Sequence, residues 1–105
     1  MALCRITVVR IARYRDLMEQ YEKPQENPCD MVLGRVFFSD GRKKPEGMCD
    51  SAWAGMRPVV AGLCCGMENY CGEWMKDPRS FMFSCNDGFR PVSFYIELVR
   101  EETKQ

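Results

Sequence analysis

The sequence predicts an α+β protein, one domain over residues 1–105, with elements in the order β-α-β-α-β-β. Three observations carry this. A length of 105 residues suits a single domain. Several short segments alternate apolar and polar residues and are rich in β-branched and aromatic side chains, the signature of half-buried strands. One stretch, residues 51–67, instead carries large apolar residues at steps of three and four, the signature of a helix. The expected architecture is a mostly antiparallel sheet with helices packed on one face.

The elements follow in order. Residues 3–11, LCRITVVRI, alternate: Cys4, Ile6 and Val8 share one face, and Leu3, Arg5, Thr7 and Val9 the other. Residues 13–23 place Tyr14, Leu17, Met18 and Tyr21 at helical spacing before Pro24, so a short helix is expected there. Residues 24–30 read as a loop. Residues 31–38, MVLGRVFF, predict a second strand, with Gly34 marking a bulge or a close backbone approach. A polar loop over 39–50 carries Arg42, Lys43 and Lys44, read as a solvated tip.

In the 51–67 segment, Trp53, Met56, Val60, Leu63 and Met67 form one helical stripe, and Asp50 or Ser51 can cap the start. Pro58 leaves two alternatives: a kinked helix, or a short turn followed by a helix from near Arg57. Residues 68–79 read as a loop. A hairpin closes the chain: FMFSC and PVSFYIELV both alternate, and the connector Asn86–Arg90 contains the Asp-Gly turn signal. The charged tail is expected to fray.

Fifteen Lys and Arg against fifteen Asp and Glu give no net charge, so a generally basic nucleic-acid surface is not expected. The arginines near the N-terminus read as a solvated face neutralised by Asp16, Glu19 and Glu22. With no histidine, His general-base catalysis, Cys-His nucleophiles and His-ligated metals are excluded. No Walker loop or dinucleotide fingerprint occurs.

Seven cysteines form an odd set, so they cannot all pair within one chain. Arg5, Arg10, Arg13 and Arg15 interrupt the N-terminal segment, which does not read as an export signal. No window approaches the ~18 apolar residues of a membrane span. The expectation is a cytoplasmic protein with reduced thiols and no membrane association, a secreted disulfide scaffold being the alternative.

Two groups of residues, Gly34-x-x-Phe37 with Pro45-x-Gly47-x-Cys49 and Ala52-Trp53, and Cys85-x-Asp87-Gly88-x-Arg90-Pro91-Val92-x-Phe94-x-Ile96-Glu97, run over most of the chain. The pattern resembles a family of short cysteine-containing proteins of unassigned function, found mostly in anaerobic prokaryotes. The chain departs from that pattern at Asp50, where the family has a proline. The resemblance implies no activity. It does separate Cys29, Cys49 and Cys85, which look like family positions, from Cys4, Cys64, Cys65 and Cys71, which look like extras of this chain.

Three chemical readings remain open. Cys29, Cys49 and Cys85 each sit at a junction between a loop and an element, positions that gather at one end of a sheet. Cys49 also lies near a helix N-terminus, where a thiolate is favoured. These three could hold iron–sulfur or zinc, with Cys71, Asp50 or Asp87 as a fourth ligand, or act as reactive thiols; the bland alternative is three separate buried thiols. No C-x-x-C pair is present. Cys4 and Cys64 read as small core residues. A second reading gives Asp50 or Asp87 acid–base work with Arg90, although no catalytic motif is present. Asp87, Arg90 and Trp74 are the candidate small-ligand contacts. For Arg90 the alternative is a pairing with Asp87 across the turn, and for Trp74 a satellite cluster under its loop. The third reading is a homo-oligomer, most simply a dimer, because the last strand carries large groups on both faces: Val92, Phe94, Ile96 and Leu98 on one, Tyr95 and Val99 on the other.

Overall fold

A computed structural model of the chain describes residues 2–24 and 29–101. Its elements are β1 (Leu3–Ile11), α1 (Arg15–Tyr21), β2 (Val36–Ser39), α2 (Asp50–Cys64), β3 (Ser80–Ser84) and β4 (Val92–Arg100). The α+β order expected from sequence is the one observed. The four strands form one sheet in the order β2-β1-β4-β3, and every neighbouring pair is antiparallel. The two nine-residue strands, β1 and β4, lie in the centre, and the shorter strands form the edges. Among the described residues no helix is long and apolar enough to cross a membrane.

Side-chain alternation sorts the sheet into two faces. Cys4, Ile6 and Val8 of β1, Phe37 of β2, Phe81 of β3 and Val92, Phe94 and Ile96 of β4 are buried. Helix α2 covers this face with Ala52, Met56, Val59, Val60 and Leu63. The register between β1 and β4 shifts between Val8 and Arg10, so Arg10 lies opposite Ser93 and Ile11 opposite Val92. A bulge adds one residue to the alternation, and Ile11, rather than Arg10, returns to pack on the core.

Three local expectations are corrected. The second strand begins at Val36, not Met31. Residues 32–35 form a turn closed by the Arg35 N–H to the Val32 carbonyl (3.1 Å), with Gly34 at φ +87°. That positive φ is what the third position of a type II turn requires. The first helix is shorter than residues 13–23 and buries none of its residues. Met67 lies outside α2 and is half exposed. Gly66, at φ +92°, ends the helix in a Schellman motif: the Met67 N–H reaches the Gly62 carbonyl (2.9 Å) and the Gly66 N–H reaches Leu63 (3.1 Å).

Pro58 stands inside one continuous helix. Both Pro58 and Ala54, whose carbonyl it leaves without an N–H partner, are on the exposed side, where water can satisfy that carbonyl.

Candidate functional site

The β3–β4 connector is held by its own hydrogen bonds. Asp87 Oδ1 accepts the backbone N–H groups of Phe89 (2.8 Å) and Arg90 (3.0 Å), so this carboxylate organises its own turn. The Val92 N–H lies 3.2 Å from Cys85 Sγ, and the Cys85 N–H bonds the Val92 carbonyl at 3.0 Å. The loop is also stitched to the end of β1: the Phe89 carbonyl accepts from the Tyr14 N–H (2.9 Å) and the Pro91 carbonyl from Ala12 (3.0 Å).

The Arg90 guanidinium does not turn back to Asp87. It donates both arms to Glu22, at 3.0 and 2.5 Å, and each side chain is less than 15 % exposed, at 11 % and 14 %. This two-pronged bond, with the charges of Glu22, Asp87 and Cys29 behind it, holds the guanidinium more firmly protonated than usual. It also fastens the end of α1 to the hairpin loop.

Cys49 is the N-cap residue of α2, and no side-chain capping hydrogen bond forms there. Its Sγ lies 3.3 Å from the Ser51 hydroxyl. That hydroxyl first, and the Ala52 amide next, pull the Cys49 thiol below its ordinary pKa, against partial burial and the charge of Asp50. Amides at a helix start favour a thiolate in this way because the unpaired N–H groups and the helix dipole both stabilise negative charge.

These parts meet in one pocket of about 160 Å³, whose lining includes Cys29, Cys49, Cys85, Asp87 and Arg90 together with Ser51. The three junction cysteines therefore converge with the turn residues, although they are far apart in sequence. Cys29 and Cys49 are exposed and Cys85 is half-buried; all seven cysteines are free thiols. Among the described residues, no group of three or more Cys, Asp or Glu stands close enough together to hold one metal ion. The described donors share a pocket without forming a ligand cage.

The other sequence candidates lie elsewhere. Asp50 is almost fully exposed and pairs with Lys44. Trp74 does not line the cysteine pocket; it is 66 % exposed, with its ring 5.7 Å from Phe81, which Tyr70 also meets edge-on at 5.4 Å. Cys71 is exposed in the 68–79 loop at φ +61°. Two partners escape sequence reasoning. Glu22 has no local signal linking it to Arg90, whereas Ser51, two residues after Cys49 at a helix start, could have been found from N-terminal spacing alone.

The fold and the site define a small α+β protein with a cysteine-lined pocket at one end of its sheet. In comparisons with family models, with curated proteins and with solved structures, nothing matches this chain.

Proposed function

We propose that the chain is a redox-responsive thiol module in which Cys49 is the attacking thiolate. The observation that carries this is the position of Cys49 at the start of α2, its pKa lowered by Ser51 and Ala52, on a pocket that also holds Cys29 and Cys85. The substrate class is a small disulfide. The Cys49 thiolate attacks one of its sulfurs; a new S–S bond forms, the old one breaks, and the leaving thiolate takes a proton from water. A second pocket thiol, Cys85 or Cys29, then attacks the Cys49 sulfur, leaving an internal disulfide and a second free small thiol. A cytoplasmic setting suits the reading, because its reducing poise returns the pair to thiols.

Alkylation under anaerobic conditions, followed by mass mapping, tests it. Limiting iodoacetamide at pH 7 should label Cys49 ahead of Cys65 and Cys71, which are also exposed. Uniform labelling of the three would overturn the proposal. An anaerobic visible spectrum with a metal-to-chain ratio addresses the metal-binding reading in the same preparation.

A second reading concerns the partner and rests on the uncovered face of the sheet. A row of Val36, Thr7, Tyr95 and Met82 crosses all four strands, and Phe38 stands beside Arg5 in the next row. Val9, Val36, Phe38, Met82 and Val99 are each at least 40 % exposed. In the neighbouring row Arg5 bonds Glu97 across the strands at 3.1 Å. A two-fold axis over this pair would bring an acid and a base against their own complements and cover the apolar row, so the occupant is a second copy of this chain. Light scattering at micromolar concentration should show a dimer that Tyr95→Lys weakens without unfolding. A monomer at that concentration refutes the assembly.

A further inference from the structure

We propose that Cys4 and Cys64 form a second, independent redox site: a dithiol that closes to a disulfide joining β1 to α2. Their Sγ atoms lie 3.7 Å apart, sixty residues distant in sequence. An S–S bond is roughly 2.05 Å long, so closure requires the sulfurs to approach by about 1.7 Å. No other acceptor competes closely, since Cys4 Sγ is 3.9 Å from the Val60 carbonyl and Cys64 Sγ 4.0 Å from the Ser39 carbonyl.

Access is one-sided. Cys4 is fully buried in the core. Cys64 is half-buried and lines a separate pocket of about 280 Å³ at the C-terminal end of α2, bounded by Leu63, Met67, Arg79 and Leu98. A small hydroperoxide entering there meets Cys64 first. The Cys64 thiolate attacks the peroxide oxygen; the O–O bond breaks, Cys64 becomes a sulfenic acid and an alcohol or water leaves. The Cys4 sulfur then attacks the Cys64 sulfur; the S–S bond forms, the S–O bond breaks, and hydroxide departs with the Cys4 proton as water. Two thiols are oxidised and one peroxide is reduced, by two electrons in all. Burial pushes both thiols to higher pKa than usual, so closure is slow at neutral pH and quickens as pH rises. Cys49 has the opposite behaviour, and the two sites therefore answer to different conditions.

The experiment uses the full chain carrying Cys29→Ser, Cys49→Ser, Cys65→Ser, Cys71→Ser and Cys85→Ser, treated with hydrogen peroxide at pH 8.5. The expected result is a loss of about 2 Da, no remaining alkylatable thiol, a peptide cross-link between Cys4 and Cys64, a raised thermal midpoint, and reversal of all four by dithiothreitol. With Cys4→Ala added, a dimedone adduct should appear on Cys64 instead. If the multiple variant does not fold, the same cross-link is sought by mass mapping of the oxidised wild-type chain. A Cys4 thiol still free after Cys64 has been oxidised further, or a Cys4 cross-link to Cys65, overturns the proposal. Neither result bears on Cys49, whose thiol takes part in neither.

Discussion

Replacing Gly41 by alanine tests how the 40–49 loop is seated on the helix that carries Cys49. Gly41 is buried at φ +90°, and a Cβ added there would lie 2.7 Å from the Ala61 Cα and 2.9 Å from the Ala61 N. Both are backbone atoms of α2, so relief needs the helix or the loop to move by about 1 Å. The loop cannot swing away freely, because the Arg57 side chain donates to the Gly41 carbonyl at 3.0 Å. Two costs add. A non-glycine residue at positive φ costs roughly 1–2 kcal/mol, and overpacking of this kind costs about 1–3 kcal/mol, so Gly41→Ala should destabilise by about 2–5 kcal/mol. Gly34 provides the control: its φ is +87°, but nothing lies within 4 Å of its added Cβ. Gly34→Ala should therefore cost only the backbone share, about 1–2 kcal/mol. Urea unfolding followed by far-ultraviolet circular dichroism measures both. At about 4–8 °C per kcal/mol for a domain of this size, Gly41→Ala should also lower the thermal midpoint by about 10 °C or more. Equal losses for the two variants would refute the contact between the loop and α2.

Three further outcomes are expected. The pH profile of Cys49 alkylation should have its midpoint below that of an ordinary thiol, and Ser51→Ala should move it upward, because the Ser51 hydroxyl is the first cause of the lowered pKa; identical midpoints by stopped alkylation and mass spectrometry would contradict this. Cys4 has a raised pKa in the fold through burial, so stability should be level below the unfolded thiol value of about 8.5 and fall above it, where only the unfolded chain ionises, by up to about 1.4 kcal/mol per pH unit. Urea midpoints between pH 8 and 9.5 measure that fall, and Cys4→Ala should remove its share. Glu22→Gln should lower the thermal midpoint and speed amide exchange at Phe89 and Arg90, since it weakens the bond that holds α1 to the hairpin loop; unchanged exchange would show that the loop stands without it.

Several features were legible in the residues alone. Alternation in β1 and β4 assigned Cys4, Ile6, Val8, Phe94 and Ile96 to one face, and the step of three and four placed Met56, Val60 and Leu63 on the buried side of α2. Side-chain direction follows backbone periodicity, which is local. The junction positions of Cys29, Cys49 and Cys85 indicated one end of the sheet, and the pocket assembles there. Tertiary structure alone decided the rest. The β1 bulge returned Ile11 to the core, and the Gly34 turn shortened β2. Arg90 chose Glu22, sixty-eight residues away, over the nearby Asp87, and Cys4 met Cys64 across the sheet–helix interface. Such pairings depend on strand register and on where α2 crosses the sheet. Each is set by the packing of the whole core, which no single stretch of residues encodes.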